Sequence, residues 1–324
     1  MRKLILGIIV SALFVYLSVR GVDLGVVKRH FDGGNYSVLL LVIPILIAAF
    51  VLRAIRLGII LSPIEKISQK KLVPITCTGN MFTILIPMRL GELVRAYLVT
   101  SKSQVPLSSS LAAVFMEKLF DISSLFLILL LVVFSFDLPA WALNTAFVVL
   151  AIFLLILSGV LFLFFRRETG VKIVRSMPGR IPDHVRHKIE RFVANFITGF
   201  AVLGNPGRIG SIFTLSILIW ILSGIGFYPF VRFIDLGLPL ISIFVLLIFI
   251  ALGISIPTAP GYLGNYQFSC ILALSLFGIS KDSALAFSII TYVVGTGLNI
   301  VFGLIFLPSM SFSMRDVRES MKNL

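Results

Sequence analysis

The stretch PMRLGELVRAYL, Pro87 to Leu98, carries Arg89, Glu92 and Arg95, and SLAAVFMEKLFDISSLF further on carries Glu117, Lys118 and Asp121. Guanidinium groups offer forked donors that match the oxygens of a phosphate or a carboxylate. Carboxylates can neutralise such cations or carry a proton. On a helix, Lys118 and Asp121 stand i,i+3 and can pair, while Glu117 and Asp121 share a face at i,i+4. One of those two acids therefore needs another cation or a proton, and Arg89 or Arg95 can supply the cation. A further pair, Arg53 and Arg56 in AFVLRAIRLG, shares a helix face. Arg56 is about one and a half turns from the end of its apolar run and can snorkel to an interface, which explains Arg53 poorly. Two readings stand side by side: an ion-pair cluster that fixes helix packing, or the lining of a site for a charged ligand.

The elements that must position these charges are apolar. The chain of 324 residues is 58% hydrophobic and 13% charged, against about 25% charged in soluble domains. Apolar runs fall at about 4–19, 38–61, 72–88, 106–136, 141–165, 209–230, 238–257, 262–278 and 284–307. A run of about 17–25 residues crosses a bilayer core as a helix, and lipid requires backbone groups to be satisfied internally. The fold class is all-α, a polytopic membrane protein. Full crossings by the eighth and seventh runs would make about eight spans plus a re-entrant segment.

The formal net charge is +14, from 28 basic and 14 acidic side chains. Most of the excess lies between the apolar runs, where it orients a membrane protein rather than marking a nucleic-acid partner. Residues 166–191 hold eight Lys/Arg against three acids, which places this loop in the cytoplasm. Arg2 and Lys3 at one end, and Arg315, Arg318 and Lys322 at the other, place both termini there too. The parity then closes only if the third run enters and leaves on one side. Its composition permits that, with Gly79, Asn80, Pro87 and Gly91 breaking it. Broken backbone is tolerated at membrane depth where it is buried in protein or lines a wet cavity.

A second broken segment is SIPTAPGYLGNYQ, with Pro257, Pro260, Gly261 and Gly264. Its flanks can be two spans or a hairpin from the opposite side. Two such hairpins would make the inverted-repeat plan of many transporters. The whole chain, 1–324, reads as one transmembrane domain, with halves 1–165 and 192–310 joined by the basic loop 166–191. Cys77 and Cys270 fit neither a disulfide framework nor a metal site. His184 and His187 lie in the basic loop with no further ligands nearby. No phosphate-binding glycine loop, GxSxG elbow or zinc motif is present, and about 40 residues between the fifth and sixth runs are too few for a catalytic core. The expectation is no metal, no cofactor and no catalysis.

Three motifs in order carry a resemblance: N-x6-P-x-R-x-G-E-x2-R (Asn80, Pro87, Arg89, Gly91, Glu92, Arg95), E-K-x2-D (Glu117, Lys118, Asp121) and P-x2-P-G-x-L-G (Pro257, Pro260, Gly261, Leu263, Gly264). Over roughly residues 5–305 the chain resembles the lysylphosphatidylglycerol synthase transmembrane-region family, also described as flippase-like. The resemblance implies movement of a lipid between leaflets, while the soluble part that attaches an amino acid in bifunctional members is not expected here. An acid is common in that family shortly after the Pro-Gly-x-Leu-Gly element, where this chain has Gln267, which points to a different lipid.

The expected function is thus a flippase or scramblase-like transporter of a phospholipid or polyprenyl-phosphate-type lipid in a bacterial inner membrane. Arg89 and Arg95 would hold the lipid phosphate with Arg53 as a third cation. Asn80, Glu92, Glu117, Lys118 and Asp121 would line a polar cavity, and the broken elements Pro87, Gly91, Pro257, Pro260, Gly261, Gly264 and Gln267 would supply backbone contacts. The alternatives are an intramembrane enzyme acting on a lipid phosphate or isoprenoid, and a non-catalytic partner of a lipid- or glycolipid-modifying enzyme. Homo-oligomerisation is left open.

Overall fold

The structure is a computed structural model, and it describes residues 2–87, 90–136, 139–165, 183–256 and 259–310. Arg89, Pro257, residues 166–182 of the basic loop and the C-terminal tail from 311 lie outside the described residues, as does the side chain of His184.

The described elements are all helical. Helix α1 (Arg2–Val19) turns through 81° into α2 (Leu24–Asp32), which Asp23 caps by accepting from the Gly25 amide. A 3₁₀ turn at Tyr36–Leu41 leads into α3 (Val42–Leu61). Then come α4 (Gln69–Leu85), α5 (Gly91–Lys102), α6 (Leu107–Ser135), α7 (Ala140–Phe165) and α8 (Asp183–Thr198). The chain finishes with α9 (Pro206–Ile225), α10 (Tyr228–Ile234), α11 (Ile241–Gly253), α12 (Asn265–Ser275) and α13 (Lys281–Phe306).

Five stretches are long and apolar enough to cross a membrane: 36–61, 107–135, 140–162, 206–234 and 281–310. The bent α1–α2 pair makes a sixth if it counts as one span. Their outward faces carry large bare apolar side chains such as Phe134, Phe147 and Leu155, as lipid-facing surfaces do. Among the described residues this count falls below the expected eight spans. The difference lies at 238–257 and 262–278, where α11 has 13 residues and α12 has 11. At about 1.5 Å per residue neither reaches across a core of about 30 Å. They pack against each other as a hairpin instead. Hydropathy counts apolar residues, but the turn between these helices uses up the length a crossing would need.

The third run also folds as a hairpin, as its breaks imply. Helices α4 and α5 pack along each other, and their outer ends meet. Lys71 Nζ donates to the Lys102 carbonyl at 3.0 Å, and the Gln104 amide donates to Glu65 Oε2 at 2.7 Å. The chain therefore leaves where it entered. Gly91 makes the turn possible by close approach: a Cβ there would stand 2.2 Å from the backbone of Phe82 and Thr83.

Helix α13 is the spine on which both hairpins lie. Its C-terminal half takes α4, antiparallel, with Asn80 opposite Asn299 and Met81 packed on Gly303. Its N-terminal half takes α12, with the rings of Tyr266 and Tyr292 5.6 Å apart. The start of α13 is tied to the α1–α2 bend: Lys281 Nζ donates to the Arg20 carbonyl, the Asp23 amide donates to Asp282 Oδ1 at 3.0 Å, and His30 meets Ser283 at 2.9 Å. The hairpins thus enter from opposite ends of the bundle. Their tips touch where the Tyr262 hydroxyl donates to the Thr83 carbonyl at 3.0 Å. That carbonyl belongs to the last turn of α4, where no intrahelical donor remains.

The buried apolar side chains divide accordingly. One cluster surrounds the first hairpin and includes Leu57, Leu72, Leu98 and Met116. The other surrounds the second and includes Phe230, Leu246, Leu274 and Phe287. Helix α6 contributes to both.

Membrane-impermeant thiol labelling checks this arrangement, because native Cys77 and Cys270 are buried. Lys71→Cys and Ser101→Cys are expected to label from one face, and Ser275→Cys from the other. Labelling of the first two from opposite faces would mean that α4–α5 crosses the membrane. Gly91→Val is expected to lower stability by about 1–3 kcal/mol or more, read as a fall in melting temperature in detergent.

Candidate functional site

Helix α6 brings acids to mid-span because a helical start at Leu107 puts Glu117 and Asp121 three to four turns inside. The face that precedes them is small, with Ser108, Ser109, Ser110, Ala112 and Ala113 buried, so α5, α8 and α9 can approach closely. Within lipid no hydrophobic force drives helices together, and small residues let packing and hydrogen bonds do so.

Four helices meet at these acids. Arg95 from α5 places its two terminal nitrogens 3.0 and 3.1 Å from the two oxygens of Glu117. Arg56 from α3 reaches the same carboxylate at 3.5 Å. Its other terminal nitrogen donates to Asp121 Oδ1 at 2.6 Å and to the Ser216 hydroxyl of α9 at 2.8 Å. Trp220, one turn further along α9, donates its ring N–H to the same Asp121 oxygen at 3.1 Å. Arg56 and Glu117 are 2% and 1% exposed, so the centre of the cluster is dry. Glu92 and Lys118 pair at 3.0 Å on its open side, where Lys118 is 37% exposed.

Arg53 differs from the rest. It lies one turn before Arg56, half-buried, close enough to Asp121 and Glu117 to feel their charge. Among the described residues it makes neither an ion pair nor a hydrogen bond. The described cluster therefore holds Arg53, Arg56, Arg95 and Lys118 against Glu92, Glu117 and Asp121, which leaves one cation in excess.

Much of this departs from the pairing drawn along the helix. Asp121 takes Arg56 and Trp220 rather than Lys118, because Lys118 points toward α5 and Glu92. Arg56 does not snorkel; it is fully enclosed by acids and a hydroxyl. Arg95 is the cation that Glu117 needed, and that pairing occupies the guanidinium that was expected to face a ligand. Asn80 donates to Asn299 Oδ1 at 2.6 Å on the α13 side. Ser216, Trp220 and Asn299 were not singled out in the sequence, since one polar residue within an apolar run carries no distinctive spacing.

At the second hairpin the motif residues shape a turn. Gly264, at φ 87°, packs against the backbone of α1, where a Cβ would stand 2.6 Å from the Ser11 carbonyl. Ser11 accepts from the Ala259 amide and donates to the Leu263 carbonyl, at 3.0 and 2.9 Å. Pro260 opens a short 3₁₀ turn that includes Gly261. Gln267 accepts from the Gly264 amide at 2.8 Å and so caps its own helix. Here the Gln267 acceptor oxygen is occupied within the hairpin.

A cavity of about 660 Å³ lies on the other face of α6, between α1, α7, α11 and α12. Its walls are apolar, and the ion cluster does not line it. The charged groups and this hollow thus lie on different faces of α6.

Comparison with known proteins follows the same lines. The family model described as the lysylphosphatidylglycerol synthase TM region matches residues 4–303. The chain is 24% identical over 280 residues to the glycosyltransferase AglD of Haloferax volcanii, which covers 76% of this chain and 44% of that protein. It is 24% identical over 229 residues to the UPF0104 membrane protein MJ1078 of Methanocaldococcus jannaschii, covering 68% of this chain and 90% of that one. The chain therefore spans less than half the length of the glycosyltransferase it matches. No solved structure matches it significantly.

The unequal roles of the cations give a stability test. Glu117→Ala strands two buried guanidinium groups and is expected to cost about 3–5 kcal/mol. Arg53→Ala removes the unpaired cation beside Arg56 and is expected to leave stability unchanged or raise it. Thermal unfolding in detergent reads both, and an equal loss from the two would show that Arg53 has a structural partner.

Proposed function

The chain belongs to the lysylphosphatidylglycerol synthase TM region family, and on that footing we propose that it carries a lipid phosphate between the leaflets of a membrane. The observation behind this reading is Arg53, a half-buried guanidinium at membrane depth without an ion-pair partner among the described residues, beside a cluster that otherwise neutralises itself. An uncompensated charge in that position is costly, and a lipid phosphate would complete the balance with the forked geometry that arginine favours. The Glu92–Lys118 pair on the open side would guide the headgroup, and Asn80 with Asn299 would offer neutral contacts deeper in. Arg89 keeps the phosphate-binding role its motif position implies, although it lies outside the described residues.

Arg95 enters the cycle through Glu117. That carboxylate holds the Arg95 guanidinium at the edge of the site, beside the phosphate. The two hairpins, meeting at Tyr262 and Thr83, would form the barrier between leaflets. Residues 1–165 and 192–310 each hold one hairpin and act as the two halves of an inverted repeat. The protein works in a bacterial inner membrane with both termini in the cytoplasm, without a cofactor and without catalysis. The substrate class is an anionic phospholipid or a polyprenyl-phosphate-type lipid.

A second reading is a membrane partner for a separate lipid-glycosylating enzyme. It is favoured by the similarity to a glycosyltransferase of which this chain covers only 44%.

Reconstitution in liposomes tests both. Fluorescent phosphatidylglycerol is expected to exchange leaflets, and a fluorescent glycolipid without phosphate to exchange much more slowly. Arg53→Ala is expected to slow the first roughly 10- to 100-fold, as loss of a charged hydrogen bond implies, with partial rescue by Arg53→Lys. Absence of phosphate-dependent exchange in the unaltered protein would sink transport, and co-purification with a glycosyltransferase would then favour the partner.

A further inference from the structure

The cavity beside α6 has a polar end that the ion cluster does not explain. Its walls include Phe14, Leu125, Leu129, Val149, Phe249 and Leu272, and Asn265 and Ser269 also line it. Asn265 is 1% exposed. Its amide nitrogen donates to the carbonyls of Gly253 and Ile256, at 3.1 and 3.2 Å, just where α11 ends. Its carbonyl oxygen, Oδ1, is buried and has no hydrogen-bond partner among the described residues. Ser269 follows one turn later on the same face of α12, 6% exposed, and its hydroxyl engages no described residue.

A wholly apolar hollow can stay dry and empty, but a buried acceptor asks for a donor. Asn265 accepts only at Oδ1, and Ser269 can both donate and accept. The complementary group is a hydroxyl, which donates to Asn265 and accepts from Ser269. A water there would find these two partners and an apolar surround. A hydroxyl on a long hydrocarbon chain would satisfy the same atoms and fill the walls as well. The volume of about 660 Å³ is within the roughly 300–1,000 Å³ of sites that enclose small ligands.

We infer that this cavity binds a single long hydrocarbon chain that bears a hydroxyl, seated with the hydroxyl at Asn265 and Ser269. The chain enters from the surrounding bilayer. Two sources share this chemistry, a straight-chain glycerolipid with a free hydroxyl and a branched isoprenoid alcohol. The site concerns binding rather than movement and stands whether or not Arg53 takes a phosphate.

Displacement of fluorescent parinaryl alcohol from the full chain in detergent provides the test. Hexadecanol is expected to compete at about five- to tenfold lower concentration than its methyl ether, which keeps the chain but cannot donate. Ser269→Ala is expected to weaken alcohol and ether by similar factors, since both oxygens accept from its hydroxyl, and to keep the preference for the alcohol. Ala146→Phe, on the cavity wall contributed by α7 and away from the hairpin, is expected to reduce binding of both probes while the protein keeps its melting temperature. Asn265→Leu should abolish the preference, but it also removes the bonds to Gly253 and Ile256, so the first two variants decide. Stronger competition by geranylgeraniol than by hexadecanol assigns the isoprenoid source, and the reverse assigns the glycerolipid. Equal competition by alcohol and ether in the unaltered protein, or undiminished binding in Ala146→Phe, would overturn the proposal. Arg53→Ala should bind the probes normally, so loss of leaflet exchange there leaves this site intact.

Discussion

Glu117 can remain charged inside a bilayer only because two guanidinium groups hold it. An ionised carboxylate moved from water into a low-dielectric interior loses several kcal/mol even after relaxation, and only close, well-bonded partners return it. Arg95 and Arg56 are those partners, and they come from different helices. The requirement therefore fixes α3, α5 and α6 against one another, and Asp121 extends it to α9 through Arg56, Ser216 and Trp220. In a lipid environment, where apolar surfaces gain nothing by leaving the tails, such bonds are what make one packing distinct from another.

The same logic explains the hairpins. A helix that stops at mid-bilayer exposes carbonyls that lipid cannot satisfy. The end of α4 receives the Tyr262 hydroxyl, and the end of α11 receives the Asn265 amide. Each broken helix is therefore completed by a side chain from the second hairpin. Tyr262 adopts φ 61°, an unusual backbone state for a side chain with a ring, at the point where the two tips meet. Close backbone approaches at Gly91 and Gly264 let the tips lie against α4 and α1 without intervening side chains.

Arg53, the cation in excess among the described residues, and Asn265 Oδ1, an acceptor without a described partner, lie beside different faces of α6. One asks for an anion and the other for a hydroxyl with a greasy surround. A lipid has both kinds of group, but the structure presents them as two separate demands joined by a single helix. Asp121 and Ile122, adjacent in the chain, face the two sites.

The all-helical membrane architecture was legible in the letters, because run length and the absence of charge decide it regardless of neighbours. So was the first hairpin, since only a same-side return reconciles the basic loop with the basic ends, and Gly91 and Pro87 mark where it breaks. The second hairpin stayed open between two forms, because hydropathy measures apolarity and not the axial length that a turn consumes. The grouping of Arg95 with Glu117 could be anticipated from an excess of acid on one helix face. Which arginine remains unpaired could not, since Arg53 and Arg56 are three residues apart and equivalent in the sequence. Helix α9 breaks that equivalence by bringing Ser216 and Trp220 to Arg56 and Asp121, and nothing comparable to Arg53. Spacing along one helix tells which residues share a face; only the packing of another helix against that face decides which of them has a partner.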